Sequence, residues 1–232
     1  MHFLHGRFAP YRGGQHSEPS MNNATRPERT VTPAYVWFDT EFTGLDTSDA
    51  HLLQVAMVMT DTRLRRISDA SSDVRLCVRL DREARLSDWV KQNLAPLLDR
   101  CRSGEAAPVS EVDLVLAARI DGVLGPVADN PKLRPVLAGN TVHMDAALAR
   151  RLLPEFNRRL HYRLLDVSTL KTFWNDSFTG PVFEKDNVSM IRNWLPAGFT
   201  LPDAAEHDAY YDVHATLAEM NYYRSHLRAC EG

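Results

Sequence analysis

Five side chains carry the chemistry this sequence suggests: Asp39, Glu41, Asp145, His207 and Asp212. Carboxylates bind hard divalent cations and an imidazole can move a proton near neutral pH, so the set points to two-metal hydrolysis of a phosphodiester. Asp39 and Glu41 close residues 34–41, an apolar, aromatic and β-branched run that reads as a buried strand. Alternate side chains of a strand share a face, which places the two acids together with Cα atoms about 6.5 Å apart. That spacing suits cations held about 3.5–4 Å from each other. Taken alone, Asp-x-Glu also fits an ordinary strand that finishes in an acidic turn such as Thr43-Gly44-Leu45-Asp46.

The other three residues depend on helices to position them. Ala209, Val213, Leu217 and Met220 recur at helical spacing, which predicts an amphipathic helix over residues 208–227 with Asp212 in its second turn. His207 precedes Asp212 by five residues, and on a continuous helix the two would point about 140° apart. His207 therefore serves the same site only from the incoming loop, with Asp208 as N-cap. Asp145 follows a short apolar strand, residues 135–138, and a Gly139-Asn140 turn, in the first turn of a helix that Pro154 interrupts. A first-turn acid also suits the helix dipole, and a solvated histidine beside a helix start is ordinary. These residues make a site only as a set.

Four segments turn the set into a resemblance: residues 39–46; Gly139-Asn140 with Asp145; the string His161-Tyr162-Arg163-Leu164-Leu165-Asp166-Val167-Ser168-Thr169-Leu170-Lys171; and His207 with Asp212, leading into residues 219–226. In these the chain resembles the DEDDh 3′-5′ exonucleases, most closely the oligoribonuclease family, over about residues 34–228. Relatives that use a tyrosine place it four residues before the last acid, where this chain has Asp208. His207 stands at the histidine-type spacing.

The resemblance implies an α/β fold of the ribonuclease H-like kind, a mixed central sheet flanked by helices. It implies hydrolysis of short RNA oligonucleotides, down to dinucleotides, to nucleoside 5′-monophosphates. Asp39, Glu41, Asp145 and Asp212 would hold two ions of Mg²⁺ or Mn²⁺, Asp145 partly through water, and His207 would take a proton from the attacking water. Leu45 would wedge against bases and Trp89 would lie near the scissile end. Tyr162 with Arg163, Ser168 and Thr169 would cap the far phosphate, reached from the second subunit of a homodimer. Leu45 could equally close a turn, and Trp89, amid Leu86, Val90 and Leu94, reads somewhat better as core. A DEDDh deoxyribonuclease or proofreading-type exonuclease shares the same acids, and a catalytically silent nucleic-acid-binding or scaffold protein would keep the fold without turnover.

The chain departs from the family in two places. Leu94 stands where the family commonly has a histidine five residues after the tryptophan, and residues 173–205 are longer than usual. Proline and glycine in that stretch disfavour one long helix, so it reads as an elongated lid or interface loop.

The remaining pattern supplies the scaffold. Residues 52–60 read as a second buried strand, 74–80 as a half-exposed third, and 87–100 and 110–124 as helices, an alternation that favours an α/β class. A length of 232 residues suits one catalytic domain, residues 34–228. Residues 1–33 lack apolar periodicity and are expected to be a disordered extension, with 229–232 a short tail. Arg7, Arg12, Arg26 and Arg29 leave a mitochondrial transit peptide open, though a plain extension and a cytoplasmic protein are preferred. No apolar run approaches the roughly 20 residues that span a bilayer. Cys77, Cys101 and Cys230 have neither disulfide parity nor zinc-ligand spacing. A net charge of −3 argues against clamping long duplexes. Short ends need fewer phosphate contacts, and Leu45, Trp89 and Tyr162 are the candidates for stacking on bases.

Overall fold

The computed structural model describes residues 33–203 and 207–229. The expected N-terminal extension, apart from Pro33, and the tail with Cys230, apart from Ala229, lie outside the described residues.

Five strands form one mixed sheet in the order β3-β2-β1-β4-β5. They are β1 (Tyr35–Phe42), β2 (Leu52–Thr60), β3 (Val74–Cys77), β4 (Val136–Gly139) and β5 (Leu164–Asp166). The first three run as an antiparallel meander, while β4 and β5 pair parallel to β1 and to each other. Parallel pairing demands crossovers, and helices supply them.

Around the sheet lie α1 (Asp88–Asn93), α2 (Ala95–Cys101), α3 (Val109–Leu124), α4 (His143–Leu152), α5 (Pro154–Arg158), α6 (Val167–Ser177), α7 (Val188–Trp194) and α8 (Ala209–Ala229). Strand alternation divides the core. Val36 and Phe38 of β1 face α3, α4 and α5 through Val112, Leu116, Ala146, Leu148 and Phe156. Trp37, one residue out of phase, faces α6, α7 and α8 through Trp174, Ile191, Val213 and Leu217. Every residue of β2 is buried. A strand flanked on both edges and covered on both faces explains its continuous apolar run. The α/β class and the mixed sheet flanked by helices follow the expectation.

Several elements differ from the sequence reading for identifiable reasons. The third strand stops at Cys77: Val78 still donates its N–H to Leu53 of β2, but Arg79 donates to Ala107 instead, and the chain leaves the sheet. The expected helix over 87–100 divides at Leu94, since Pro96 in the first turn of α2 has no N–H to continue a ladder from α1. α8 is not amphipathic in the expected sense. Residues 211–219 are all buried, because α6 and α7 cover the side opposite the sheet. The elongated loop over 173–205 is also only partly a loop. Residues 173–177 finish α6, and α7 forms beyond them, capped by the Asn187 side chain and anchored by fully buried Ile191.

A buried acid shows how the helical layer is fixed. Both carboxylate oxygens of Asp113 on α3 accept N–H bonds from the start of α5, Glu155 at 3.0 Å and Phe156 at 2.7 Å. Pro154 cannot donate there, so Asp113 satisfies the donors that a helix start leaves open. Cys77 and Cys101 are buried free thiols. None of the described helices is long and apolar enough to cross a membrane.

Candidate active site

The site lies where β1 ends. Asp39 and Glu41 point toward the α8 side of the sheet, in phase with Trp37, and a β-bulge between Glu41 and Phe42 breaks the pairing with β2 just beyond them. Asp212, from the first turn of α8, descends onto the same spot. Carboxylate oxygens of Asp39, Glu41 and Asp212 all lie within 4.8 Å of one another. Three hard oxygen donors at this spacing fit a divalent cation of the Mg²⁺ or Mn²⁺ type.

Asp145 approaches from the opposite face. Thr40, out of phase with its two acidic neighbours, donates from Oγ1 to Asp145 Oδ1 at 2.6 Å. Both are buried. Asp145 thus stands beside the trio, its charge felt by Asp39 and Glu41.

Burial and mutual repulsion dominate the electrostatics. Glu41 is pushed up to about 8, first by burial and then by the charges of Asp212 and Asp145. Asp39 is raised well above the usual carboxylate range, again by burial first and then by Asp145 and Asp212. Burial also raises Asp145, although the Thr40 hydrogen bond works the other way. Acids so arranged gain strongly from added positive charge.

One such charge belongs to the chain itself. Lys185 Nζ lies 2.5 Å from Asp212 Oδ1. Burial works against its ammonium, but Asp212 and Asp39 outweigh that and hold the group charged.

His207 sits outside α8 with φ of 64°, a left-handed conformation uncommon for a residue with a Cβ. Two contacts hold it there. Its N–H donates to Asp212 Oδ2 at 3.1 Å, and its ring meets the Trp89 ring edge to face, with centroids 4.9 Å apart. Asp208 caps α8 by accepting from the N–H groups of Tyr210 and Tyr211. His207 remains exposed, beside the acidic cluster that its backbone N–H contacts.

Gln54 pins this arrangement. It is the residue of β2 paired with Glu41, and its side chain donates to Asp208 Oδ2 and accepts from the Ala209 N–H, both at 3.0 Å. Arg75 on β3 reaches the same Asp208 oxygen at 2.6 Å. Neither residue stands out by motif. The available signal for Gln54 was one amide amid the apolar run of a fully buried strand, which must find partners. Lys185 gave no signal, because its segment carries no periodicity.

The nearby tyrosines are occupied elsewhere. Tyr210 donates its hydroxyl to Asp73 at 2.7 Å, and Tyr211 is buried in the core.

The stacking candidates are distributed unevenly. Leu45 is 83% exposed at the tip of a turn held by Thr43 and His51. Trp89 is 48% exposed, so its reading as core is corrected: α1 turns Val90 inward and leaves Trp89 against His207. Leu94 turns inward too, packing with Val90 and Leu97. Tyr162 is exposed and stacks on His161 at 4.3 Å, with the Arg163 guanidinium 5.6 Å from its ring. Both precede β5, whereas the acids gather at the opposite ends of the parallel strands. Ser168 instead braces the site's floor. Its Oγ accepts from the Thr141 N–H at 2.9 Å and donates to Asn140, whose amide bonds Glu219. Thr169, beside it on α6, is exposed.

An oligoribonuclease of Burkholderia lata is 30% identical over 83% of this chain and 82% of its own. One of Mycobacterium ulcerans is 31% identical over 82% and 79%. The human mitochondrial oligoribonuclease is 28% identical over 96% and 83%. Among solved structures, exonuclease I of Methylocaldum szegediense shares the fold with a TM-score of 0.52 at 19% identity, covering 83% of this chain, which spans only 40% of that one. The exonuclease family profile, RNase_T, matches residues 36–220, and on that match the chain belongs to the exonuclease family.

Proposed function

We propose that this exonuclease hydrolyses short RNA oligonucleotides from the 3′ end, down to dinucleotides, releasing nucleoside 5′-monophosphates in the cytoplasm. The observation that carries the reading is the convergence of Asp39, Glu41 and Asp212 within 4.8 Å, beside a histidine held at their edge. The names of the relatives supply the substrate class.

Asp39, Glu41 and Asp212 would hold the cations, Mg²⁺ or Mn²⁺ and two per site, with Asp145 completing the shell in part through water. When bound, such ions neutralise phosphate charge and acidify water. His207 would accept a proton from the attacking water as the water oxygen bonds to phosphorus, the P–O3′ bond breaks and the departing 3′ oxygen takes a proton from solvent. The Asp212 contact with the His207 N–H holds the imidazole's backbone beside the ligands. Trp89 and Leu45 offer exposed apolar surface on which bases can stack.

Tyr162 supports a homodimer. Its exposure beside the edge strand β5, away from its own chain's acids, supports a role at the site of a second copy, where it would cap the far phosphate with Arg163. Light scattering of the wild type and Tyr162→Ala tests this; a wild-type monomer would remove it.

An end-labelled panel of RNA and DNA, from dinucleotides to decamers, tests the function. Metal-dependent shortening of RNA from the 3′ end supports it. Preference for DNA would select a deoxyribonuclease, and inertness toward the whole panel would leave a binding protein.

A further inference from the structure

The cation that this chain brings to its own acids stands on the segment that distinguishes it. After α6 the backbone is tied down at each end of a short span. The Tyr222 hydroxyl and Trp174 Nε1 both donate to the Pro181 carbonyl, the latter at 3.1 Å, and Phe183 is buried against Tyr222. Beyond it, the Asn187 side chain accepts the Met190 N–H at 3.0 Å to start α7. Lys185 lies between these anchors, so its ammonium is delivered to the acids rather than left to sample solvent.

Both oxygens of Asp212 are already engaged. Oδ2 accepts the His207 N–H at 3.1 Å, and Oδ1 accepts Lys185 at 2.5 Å. An ammonium has three donors and no acceptor, so it needs the electron pairs that a cation would use. It also repels any second positive charge at ligand distance, strongly in a partly buried site.

We propose that Lys185 is a built-in competitor for Asp212, occupying its Oδ1 and setting the affinity of the acidic cluster for divalent ions. The inference rests on the metal-binding reading above and adds a residue that tunes it. Lys185 stabilises a cluster that would otherwise repel itself, and it does so at the expense of metal affinity. Ion loading must move the ammonium off Asp212.

Calorimetry with Mn²⁺ on the chelated, folded full-length protein tests this. Lys185→Met and Lys185→Gln remove the charge and should bind Mn²⁺ about tenfold more tightly than wild type. Lys185→Arg keeps the charge and should stay closer to wild type, and the two neutral variants differ in polarity, so that if one fails to fold the other keeps the comparison. Equal or weaker binding by the neutral variants would overturn the inference, as would an Arg variant that tightens as they do. Binding to neither wild type nor variants would overturn the metal reading and this inference with it. Equal binding to all of them overturns this inference alone.

Discussion

Gln54 and Asp208 join two distant parts of the chain: the Gln54 amide donates to Asp208 Oδ2 at 3.0 Å, linking the strand beside Glu41 to the cap of α8. The same side chain accepts the Ala209 N–H. The sheet that carries two acids is thereby bolted to the helix that carries the third. Gln54→Leu keeps the volume and leaves a buried N–H without its partner, a loss of about 1–3 kcal/mol in stability. Thermal melts should show that loss. Turnover should fall further than the melt explains, because His207 and Asp212 lose their register with Glu41.

His207→Ala should lower kcat by about 10²–10⁴-fold if proton transfer is its main task. Mn²⁺ binding should survive, since the proposed ligands are carboxylates and the Asp212 contact uses the His207 backbone. Calorimetry and kinetics on one preparation check both halves. Unchanged turnover would remove the base assignment.

Stability of the chelated protein should fall as pH rises. A buried carboxyl whose folded pKa is raised binds its proton more tightly in the folded state, so its contribution is full below the unfolded value and lost through the folded one. For Glu41 that window runs from 4.5 to about 8. Asp39 and Asp145, raised by burial, add in the same direction. Melting temperature against pH, with chelator and with excess Mg²⁺, checks the sign. The metal should flatten the decline, and a chelated protein that grows more stable across the window would contradict it.

Trp89→Ala should raise KM for short oligonucleotides more than it lowers kcat, because base stacking contributes about 1–3 kcal/mol per base. A smaller drop in kcat is expected from losing the edge-to-face contact with His207. An unchanged KM would assign Trp89 to positioning His207 alone.

Gly139→Ala should destabilise the protein by about 1–3 kcal/mol through overpacking. A Cβ there would lie 2.8 Å from the Phe38 carbonyl oxygen, a backbone atom that cannot swing aside. The strand ends carrying Asp39 and Asn140 would have to part. Chemical denaturation measures the cost.

The sheet was legible where pattern and burial coincide. β2 is continuous in hydropathy because both its faces and both its edges are covered, and the Asp39–Glu41 pair follows from strand alternation alone. The loop position of His207 followed from helical angle, since five residues of helix would have carried it away from Asp212. What escaped depended on tertiary partners. Trp89 sits among apolar neighbours in sequence, yet the phase of α1, set by Ser87 as cap, turns Val90 inward instead. α7 is a short helix held by Ile191 and by the Trp194 contact with Tyr222, neither of which is local. Lys185 reaches the site only because distant aromatic residues fix the span around it.

Anomalous scattering from crystals grown with Mn²⁺ tests the central claim most directly, because it locates the ion without assuming activity. The account predicts density bridging Asp39, Glu41 and Asp212, with carboxylate oxygens at about 2.0–2.2 Å. Density elsewhere, or none at saturating Mn²⁺, would contradict it.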